Sequence, residues 1–215
     1  MILRSFWARA FALALLCTGA TAFAQTGEEL PVPFEAYGED DPFAVAPKRI
    51  DPTDNRAKQT LEQILQYDPD NVNARIQNAE LLIGRGVRQR GLDEYAYALR
   101  LAGTDEKKLR SVYWNYGWAL FHGGEARGAV TQWMQAERLH GGRPEWVPTT
   151  YAMGLWAAGE KDLALQFYKS AVRSNPRRWG ESAGVQDAVR TLPPAQKQTL
   201  EAVYAAWREG VSSGR

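Results

Sequence analysis

The feature of this sequence that most constrains its fold is a four-residue pattern that occurs three times. Each copy has a glycine, a small residue, an aromatic residue and an alanine at nearly the same intervals. The copies are Gly86, Gly91, Tyr95 and Ala98; Gly124, Ala129, Trp133 and Ala136; and Gly159, Ala164, Tyr168 and Ala171. The first two are offset by 38 residues and the last two by 35. Such a period indicates stacked repeats, each too small to bury its apolar face alone.

The stretch 113–136 predicts the structure of one repeat. Its first part has apolar and small residues at positions i, i+3, i+4 and i+7, which is the spacing of one helix face. This face consists of Tyr113, Tyr116, Gly117 and Leu120. Gly123 and Gly124 then interrupt the helix, and the second part forms another helix face. The sequence therefore predicts a helical hairpin with small residues where its two helices cross, and no sheet is expected.

At these residues the chain resembles the tetratricopeptide repeat (TPR) family, whose unit has about 34 residues. Pro69 and Pro176 stand where that family ends a unit with proline. The resemblance covers roughly residues 55–178, and in the first unit Arg75 and Asn78 occupy positions that are normally apolar. It implies an all-α fold, a short right-handed α-α superhelix (a TPR solenoid) with a C-terminal capping helix pair.

Composition and spacing divide the chain into five regions. They are a signal peptide (1–24), an acidic proline-rich arm (25–50), TPR-like repeats (51–178), C-terminal capping helices (179–210) and a frayed tail (211–215). The repeats comprise a half repeat, 51–69, and three repeats at about 70–103, 104–141 and 142–178. Asp51 is expected to cap the first helix and Thr104 the fourth. Leu200, Val203, Tyr204 and Trp207 form the apolar face of the last helix.

The N-terminus has the organisation of a secretory signal peptide. Arg4 and Arg9 precede the short apolar run 11–16, and the residues 22–24 (Ala-Phe-Ala) have the form that signal peptidase recognises. The run is too short for a permanent membrane span, although an uncleaved anchor is the alternative. Cleavage would also remove Cys17, the one cysteine of the chain, and with it disulfide and thiolate chemistry. The sequence therefore predicts an exported protein, with the periplasm as the favoured compartment.

Charge is unevenly distributed between the arm and the rest of the chain. Residues 25–54 contain eight acidic and two basic residues, a net charge of −6, and residues 55–215 contain 17 acidic and 22 basic ones, a net charge of +5. The arm also contains Phe34, Tyr37 and Phe43. Its composition predicts a disordered or extended segment. Two interpretations remain open, a plain tether or an arm that folds back onto the basic, aromatic body.

The sequence contains no recognisable catalytic or metal-binding arrangement. His122 and His140 lie at the ends of predicted helices, without a second histidine or a carboxylate at metal-ligand spacing. The glycine pairs 123–124 and 141–142 lie between two helices, so they do not form a phosphate-binding loop. The charge of +5 is too small and too dispersed to indicate nucleic acid. We therefore expect a protein that is not an enzyme and has no cofactor, metal or nucleic-acid partner.

The best candidate for a binding surface is the exposed face of the first helix in each repeat. In the TPR family these helices line a concave groove that holds an extended segment of a partner. The groove residues would be Trp114, Trp118, Phe121, His122, Trp146, Met153 and Trp156, with Ile76, Glu80 and Ile83 from the first unit. Tryptophan is enriched among residues that contribute most to binding. Three interpretations remain open: a groove open to a partner, one occupied by the acidic arm, or aromatic residues that only fill the core.

These observations predict an exported, TPR-type interaction scaffold or adaptor in the bacterial cell envelope. Its partner would be another protein or a peptide that supplies an apolar or aromatic segment. The alternative is a structural subunit that self-associates, for example as a dimer through Tyr204 and Trp207 of the last helix. An enzyme is a distant third.

Overall fold

A computed structural model describes residues 30–45 and 51–213 of the chain. The predicted signal peptide, part of the arm and the last two residues lie outside this range. The described residues are mostly helical, contain no strands and form ten helices that pack against one another. The helices are α1 (Asn55–Tyr67), α2 (Val72–Gly84), α3 (Arg88–Ala102), α4 (Glu106–His122), α5 (Ala126–His140), α6 (Val147–Ala157), α7 (Lys161–Ser174), α8 (Pro176–Trp179), α9 (Ser182–Val189) and α10 (Pro194–Ser212).

The caps of α1 and α4 differ from the prediction. Asp54 caps α1 by accepting hydrogen bonds from two amides of the first turn, whereas Asp51 accepts bonds from the amide and hydroxyl of Thr53 in the preceding turn. Asp105, not Thr104, caps α4. A carboxylate is a strong acceptor and is also stabilised by the helix dipole. The caps are therefore Asp54 for α1 and Asp105 for α4, and the predictions of Asp51 and Thr104 were wrong.

Three turns share one backbone geometry, those between α2 and α3, α4 and α5, and α6 and α7. Each contains a glycine with positive φ, 78° at Gly86, 82° at Gly124 and 90° at Gly159. The next residue donates its amide to a carbonyl five residues earlier, always at 2.9 Å (Val87 to Leu82, Glu125 to Leu120 and Glu160 to Leu155). Side chains disfavour positive φ, so glycine suits this turn. The sequence period of 35 to 38 residues is therefore the spacing of these three turns.

Glycines at the contacts between helices let α4, α5 and α6 approach closely. Gly117 of α4 lies directly against the Trp133 indole of α5. Gly154 of α6 approaches Val130, so that a Cβ there would lie 2.6 Å from a Val130 methyl carbon. Trp133 is fully buried and its Nε1 donates to the Trp114 carbonyl oxygen at 3.3 Å. This indole therefore joins α4, α5 and α6.

The unusual polar residues of the first repeat have partners. Arg75 of α2 contacts the Glu94 carboxylate of α3 at 2.9 Å, and the Asn78 amide donates to the same carboxylate at 3.1 Å. The Arg75 and Glu94 side chains are mostly buried. A buried polar group is tolerated when it is hydrogen-bonded, so α2 and α3 still pack together here.

The C-terminal helices pack onto α6 and α7. Leu200 and Val203 of α10 are buried in the largest hydrophobic cluster of the described residues. Tyr204 and Trp207 contact Tyr168 of α7, with ring centroids 6.4 and 5.8 Å away. The apolar face of α10 is thus directed toward α6 and α7. None of the described helices is both long and apolar enough to cross a membrane.

Candidate functional site

A cavity of about 420 Å³ lies between the N-terminal segment, α4, α6 and the C-terminal helices. Its lining combines indole rings and aliphatic side chains with hydroxyl, amide and charged groups. The lining residues are Tyr37, Gly38, Trp114, Trp118, Glu145, Trp146, Pro148, Thr149, Thr150, Met153, Ser174, Asn175, Arg178, Trp179, Ala188, Leu192, Gln196 and Leu200. The volume lies within the size range of ligand-binding pockets, and the lining is about equally polar and apolar.

Indole rings form one wall of this cavity. The Trp114 ring centroid lies 5.5 Å from that of Trp118 and 4.7 Å from that of Trp146. Trp118 also packs against the buried Trp133, at 4.8 Å. Trp114 is only 7% exposed, whereas Trp118 and Trp146 are half-buried. The wall therefore packs against the core through Trp133, and the partly exposed Trp118 and Trp146 indoles line the cavity.

The structure brings four of the seven predicted groove residues together. Trp114, Trp118, Trp146 and Met153 line the cavity. The other three, Phe121, His122 and Trp156, have different surroundings.

Phe121 is buried and packs against Trp118 and Trp133. The exposed His122 lies with its Nε2 2.8 Å from the Gln196 side-chain nitrogen, at the edge of the site. Trp156 lies beneath Lys161, whose Nζ is 3.7 Å from the centre of the indole. In the first unit, Ile76 is buried in a separate core cluster, so that part of the expected surface is interior.

Residues 31–45 of the arm are extended and lie along the body; we call them the arm segment. Its backbone is hydrogen-bonded to the loop before α6, since the amides of Gly38 and Glu39 both donate to the Arg143 carbonyl oxygen at 3.0 and 3.1 Å. The Glu145 amide donates back to the Glu39 carbonyl oxygen at 2.9 Å. These bonds resemble the pairing of one strand with another. Backbone hydrogen bonds of this kind hold the arm segment independently of the identity of its side chains.

α7 provides a second set of contacts to the arm segment. The Ser170 hydroxyl donates to the Phe34 carbonyl oxygen at 2.6 Å, and the Tyr37 amide donates to the Ser174 hydroxyl at 2.8 Å. The Arg143 guanidinium lies 4.5 Å from the centre of the Phe34 ring. Polar groups of α7 and the loop thus follow the course of the arm segment.

Tyr37 is the apolar anchor of the arm segment. Its side chain is 4% exposed and belongs to the same hydrophobic cluster as Trp114 and Met153. Burial raises the pKa of Tyr37 to about 12, so its hydroxyl stays protonated at neutral pH. That hydroxyl accepts a hydrogen bond from the Phe34 amide at 3.0 Å.

Asp41 is the polar anchor of the arm segment. Its side chain is only 1% exposed and forms an ion pair with Arg110 of α4, which is 14% exposed. The Trp146 indole donates to the same carboxylate at 3.1 Å, as does the amide of Phe43. The Phe43 ring lies 4.9 Å from the Arg110 guanidinium. Trp146 is part of the aromatic wall, so its hydrogen bond to Asp41 links the arm segment to that wall.

The polar lining of the cavity is suited to hydrogen bonding. Thr149, Thr150 and Gln196 are more than nine-tenths buried, and the exposed Glu145 and Arg178 lie at its rim. Within residues 30–45 and 51–213, no group of three or more His, Cys, Asp or Glu side chains could hold a metal ion. Isolated hydrogen-bonding groups can fix the orientation of a ligand, while the indole rings beside them provide apolar contact.

The contrast between an acidic, aromatic arm and a basic body led the sequence analysis to name Tyr37 and to leave open an arm that folds back. It did not identify Asp41 or Arg110 as specific contacts. Asp41 belongs to a segment without periodicity, and Arg110 is one of many basic residues. Gln196 was also missed, because it comes from a helix that was predicted only to close the repeats.

Neither protein-family models, curated proteins nor solved structures match this chain.

Proposed function

We propose that this protein is an exported, TPR-type interaction scaffold that binds an extended segment of another protein beside the aromatic wall. The observation that carries the proposal is the arm segment itself, which lies along this surface and buries Tyr37 in the same hydrophobic cluster as Trp114. A surface that holds one extended chain through backbone bonds and a side-chain pocket has the chemistry to hold another.

The repeat architecture is part of this proposal. The three equivalent turns favour units at about 70–103, 104–141 and 142–178 that stack as a short solenoid, with 51–69 as a half repeat. The packing of α10 on α6 and α7 favours a C-terminal cap at 179–210. A solenoid needs such an end element because its last repeat would otherwise expose an apolar face.

Export to the periplasm is proposed from residues 1–24 alone. Sequencing the N-terminus of the protein purified from an envelope fraction tests it, with a start at Gln25 as the expected result. Recovery of the uncleaved chain from the cytoplasm would contradict export.

Comparison of two tryptophan truncations tests the binding function. Trp118→Ala removes an indole that lines the cavity, whereas Trp156→Ala removes a half-buried indole outside the lining. Each variant is used as bait in an envelope extract, and the captured proteins are compared with those of the wild type. We expect specific capture by the wild type and by Trp156→Ala, and its loss in Trp118→Ala, with helicity retained in both. Equal capture by the two variants would exclude this surface as the binding site.

A further inference from the structure

The surface under the arm segment is basic, and the arm segment is acidic. Residues 31–45 contain four acidic residues and no basic one. Lys107 and Arg110 of α4 contact the Phe43 ring, at 5.7 and 4.9 Å. Other basic residues follow the segment toward its N-terminus, namely Arg143 next to Phe34, and Lys169 and Arg173 in the depression around Phe34 and Glu35. Complementary charge of this kind favours binding of the correct partner and repels basic segments.

Two side chains of the arm segment carry its specific contacts. Tyr37 enters the hydrophobic cluster beside the cavity, and Asp41 contacts Arg110 and Trp146. Both residues are buried, with 4% of Tyr37 and 7% of Asp41 exposed, so both side chains face the body. The remaining contacts are backbone hydrogen bonds, contacts of partly exposed rings, and the approach of the Glu39 carboxylate to His140 Nδ1 at 3.8 Å. The two buried anchors are thus an aromatic residue and a carboxylate four positions later.

The arm segment lacks the features of a permanent part of the core. Val32 and Val45, near its two ends, are 80% and 60% exposed, and Phe34 is 44% exposed. It has no helix and only one isolated bridge to the body, between Glu39 and Pro144. Local opening of such a segment breaks the Tyr37 and Asp41 contacts but no hydrogen bond within the helices, so it can be exchanged without unfolding them.

We propose that the ligand of this surface is an acidic, extended segment of another protein with an aromatic residue four positions before an aspartate or glutamate, and that the arm segment occupies the site as an intramolecular competitor. This inference rests on the proposed function and specifies the chemistry of the partner. Under this competition, the apparent Kd for the partner equals the intrinsic Kd divided by the fraction of molecules whose site is free of the arm segment.

A labelled peptide with the sequence of residues 31–45 tests the proposal. Its fluorescence anisotropy is measured with the intact chain and with a chain in which Tyr37→Ala and Asp41→Asn weaken the arm segment. A second peptide, carrying the same two substitutions, serves as the matched ligand control. We expect the unchanged peptide to bind the weakened-arm chain at least about tenfold more tightly than the intact chain, because its site is vacated. We expect the substituted peptide to bind the weakened-arm chain at least about tenfold less tightly than the unchanged one, because it lacks both anchors.

A substitution on the body separates specific from general electrostatic binding. In the weakened-arm chain, Arg110→Gln removes the residue that pairs with Asp41 and would pair with the aspartate of the peptide. Lys108→Gln removes an equal charge, and the ion pair described for Lys108 is with Asp105, the cap of α4. Arg110→Gln should weaken peptide binding at least about tenfold, and Lys108→Gln should have little effect. Circular dichroism of every variant verifies that the helices remain folded.

Three outcomes would overturn the proposal. Equal peptide affinity of the intact and weakened-arm chains would mean that the arm segment does not compete. No peptide binding to a folded weakened-arm chain would exclude the proposed ligand chemistry, while Trp118-dependent capture from the envelope extract could still support the binding function. A dimer of the intact chain that dissociates when Tyr37 and Asp41 are changed would identify a second copy as the occupant.

Discussion

At the scale of single residues, Asp41 shows how one side chain positions an otherwise irregular segment. The carboxylate is buried together with Arg110, so the loss of either charge leaves the other without compensation. Such an imbalance is strongly unfavourable in a folded interior. In the exchange proposed above, the arm segment leaves and water reaches the guanidinium, so the cost is limited to the free energy of arm docking.

We expect Asp41→Asn to loosen the arm segment while leaving the helices folded. The amides of Gly38 and Glu39 donate to the Arg143 carbonyl oxygen, and their hydrogen exchange reports on arm docking. Their exchange should accelerate about tenfold or more, since a hydrogen bond to a charged group contributes about 1.5–3 kcal/mol. Asp40→Asn, which changes an exposed neighbouring carboxylate, is the control. Equal acceleration in both variants would show that Asp41 has no special role.

Glu137 predicts a pH dependence of stability. Burial raises the pKa of Glu137 above its ordinary value of 4.5, although the hydrogen bond from the Tyr151 hydroxyl, at 2.6 Å, partly opposes this. The folded protein therefore holds a proton that the unfolded chain has lost, in the window between the two pKa values. Stability falls with rising pH wherever the folded state binds more protons.

We expect Glu137→Gln to remove this contribution. The free energy of unfolding of the variant minus that of the wild type should increase as pH rises from 4.5 through the raised pKa of Glu137, and then level off. Urea unfolding measured across this pH range checks the sign. Glu62→Gln, at an exposed position of α1, provides the comparison. A difference that decreases with rising pH would contradict the effect of burial.

At the scale of helices, the pairing depends on close approach at particular glycines. A side chain at Gly117 would overlap the Trp133 indole, which joins three helices and cannot move freely. Gly128 of α5 is different, because an added Cβ there would meet only a Leu120 methyl group at 3.5 Å, an ordinary contact. The two glycines thus share a helical conformation and differ in the space around them.

We expect opposite effects from alanine at these two positions. Gly117→Ala should lower the free energy of unfolding by about 1–3 kcal/mol through overpacking. Gly128→Ala should raise it by up to about 1 kcal/mol, because alanine restricts the unfolded chain and favours the helix. Chemical denaturation of both variants measures the two values. Destabilisation by Gly128→Ala as large as that by Gly117→Ala would contradict the packing argument.

At the scale of the whole molecule, the arm segment determines how much apolar surface the protein exposes. It contacts the aromatic wall through the hydrogen bond from Trp146 to Asp41, and Tyr37 lies in the same hydrophobic cluster as Trp114. We expect a chain lacking residues 31–45 to bind an environment-sensitive apolar dye more strongly than the intact chain, since exposed apolar patches bind such ligands. Fluorescence titration measures the difference. Unchanged dye binding by the folded, shortened chain would mean that the arm segment shields nothing.

Self-association is a second property of the whole molecule. Tyr204 and Trp207 contact Tyr168 within the chain, so each ring already has an intramolecular neighbour. We therefore expect light scattering to give the mass of a single chain over a wide range of concentration. A stable dimer that Trp207→Ala dissociates would instead favour the structural-subunit alternative.

The sequence by itself determined the helical hairpins and their spacing. These features depend on local interactions: a glycine that adopts positive φ, such as Gly124, and small residues at helical spacing, such as Gly117. The same periodicity predicted that Trp114, Trp118, Trp146 and Met153 would share one surface, since each lies on the first helix of a unit or at its start. Phe121, His122 and Trp156 lie outside the cavity lining, because helical spacing does not specify which neighbour covers a side chain.

Only the tertiary structure decided where the arm segment lies and which basic residue receives Asp41. The Asp41 and Arg110 side chains are 69 residues apart in the chain, and neither belongs to a periodic pattern that includes the other. An extended segment can contact any surface of suitable charge and shape, so its position depends on packing that is completed only when α4, α6, α7 and the intervening loop are in place. The repeats are thus specified by local chemistry, and the site by the surfaces that meet after folding.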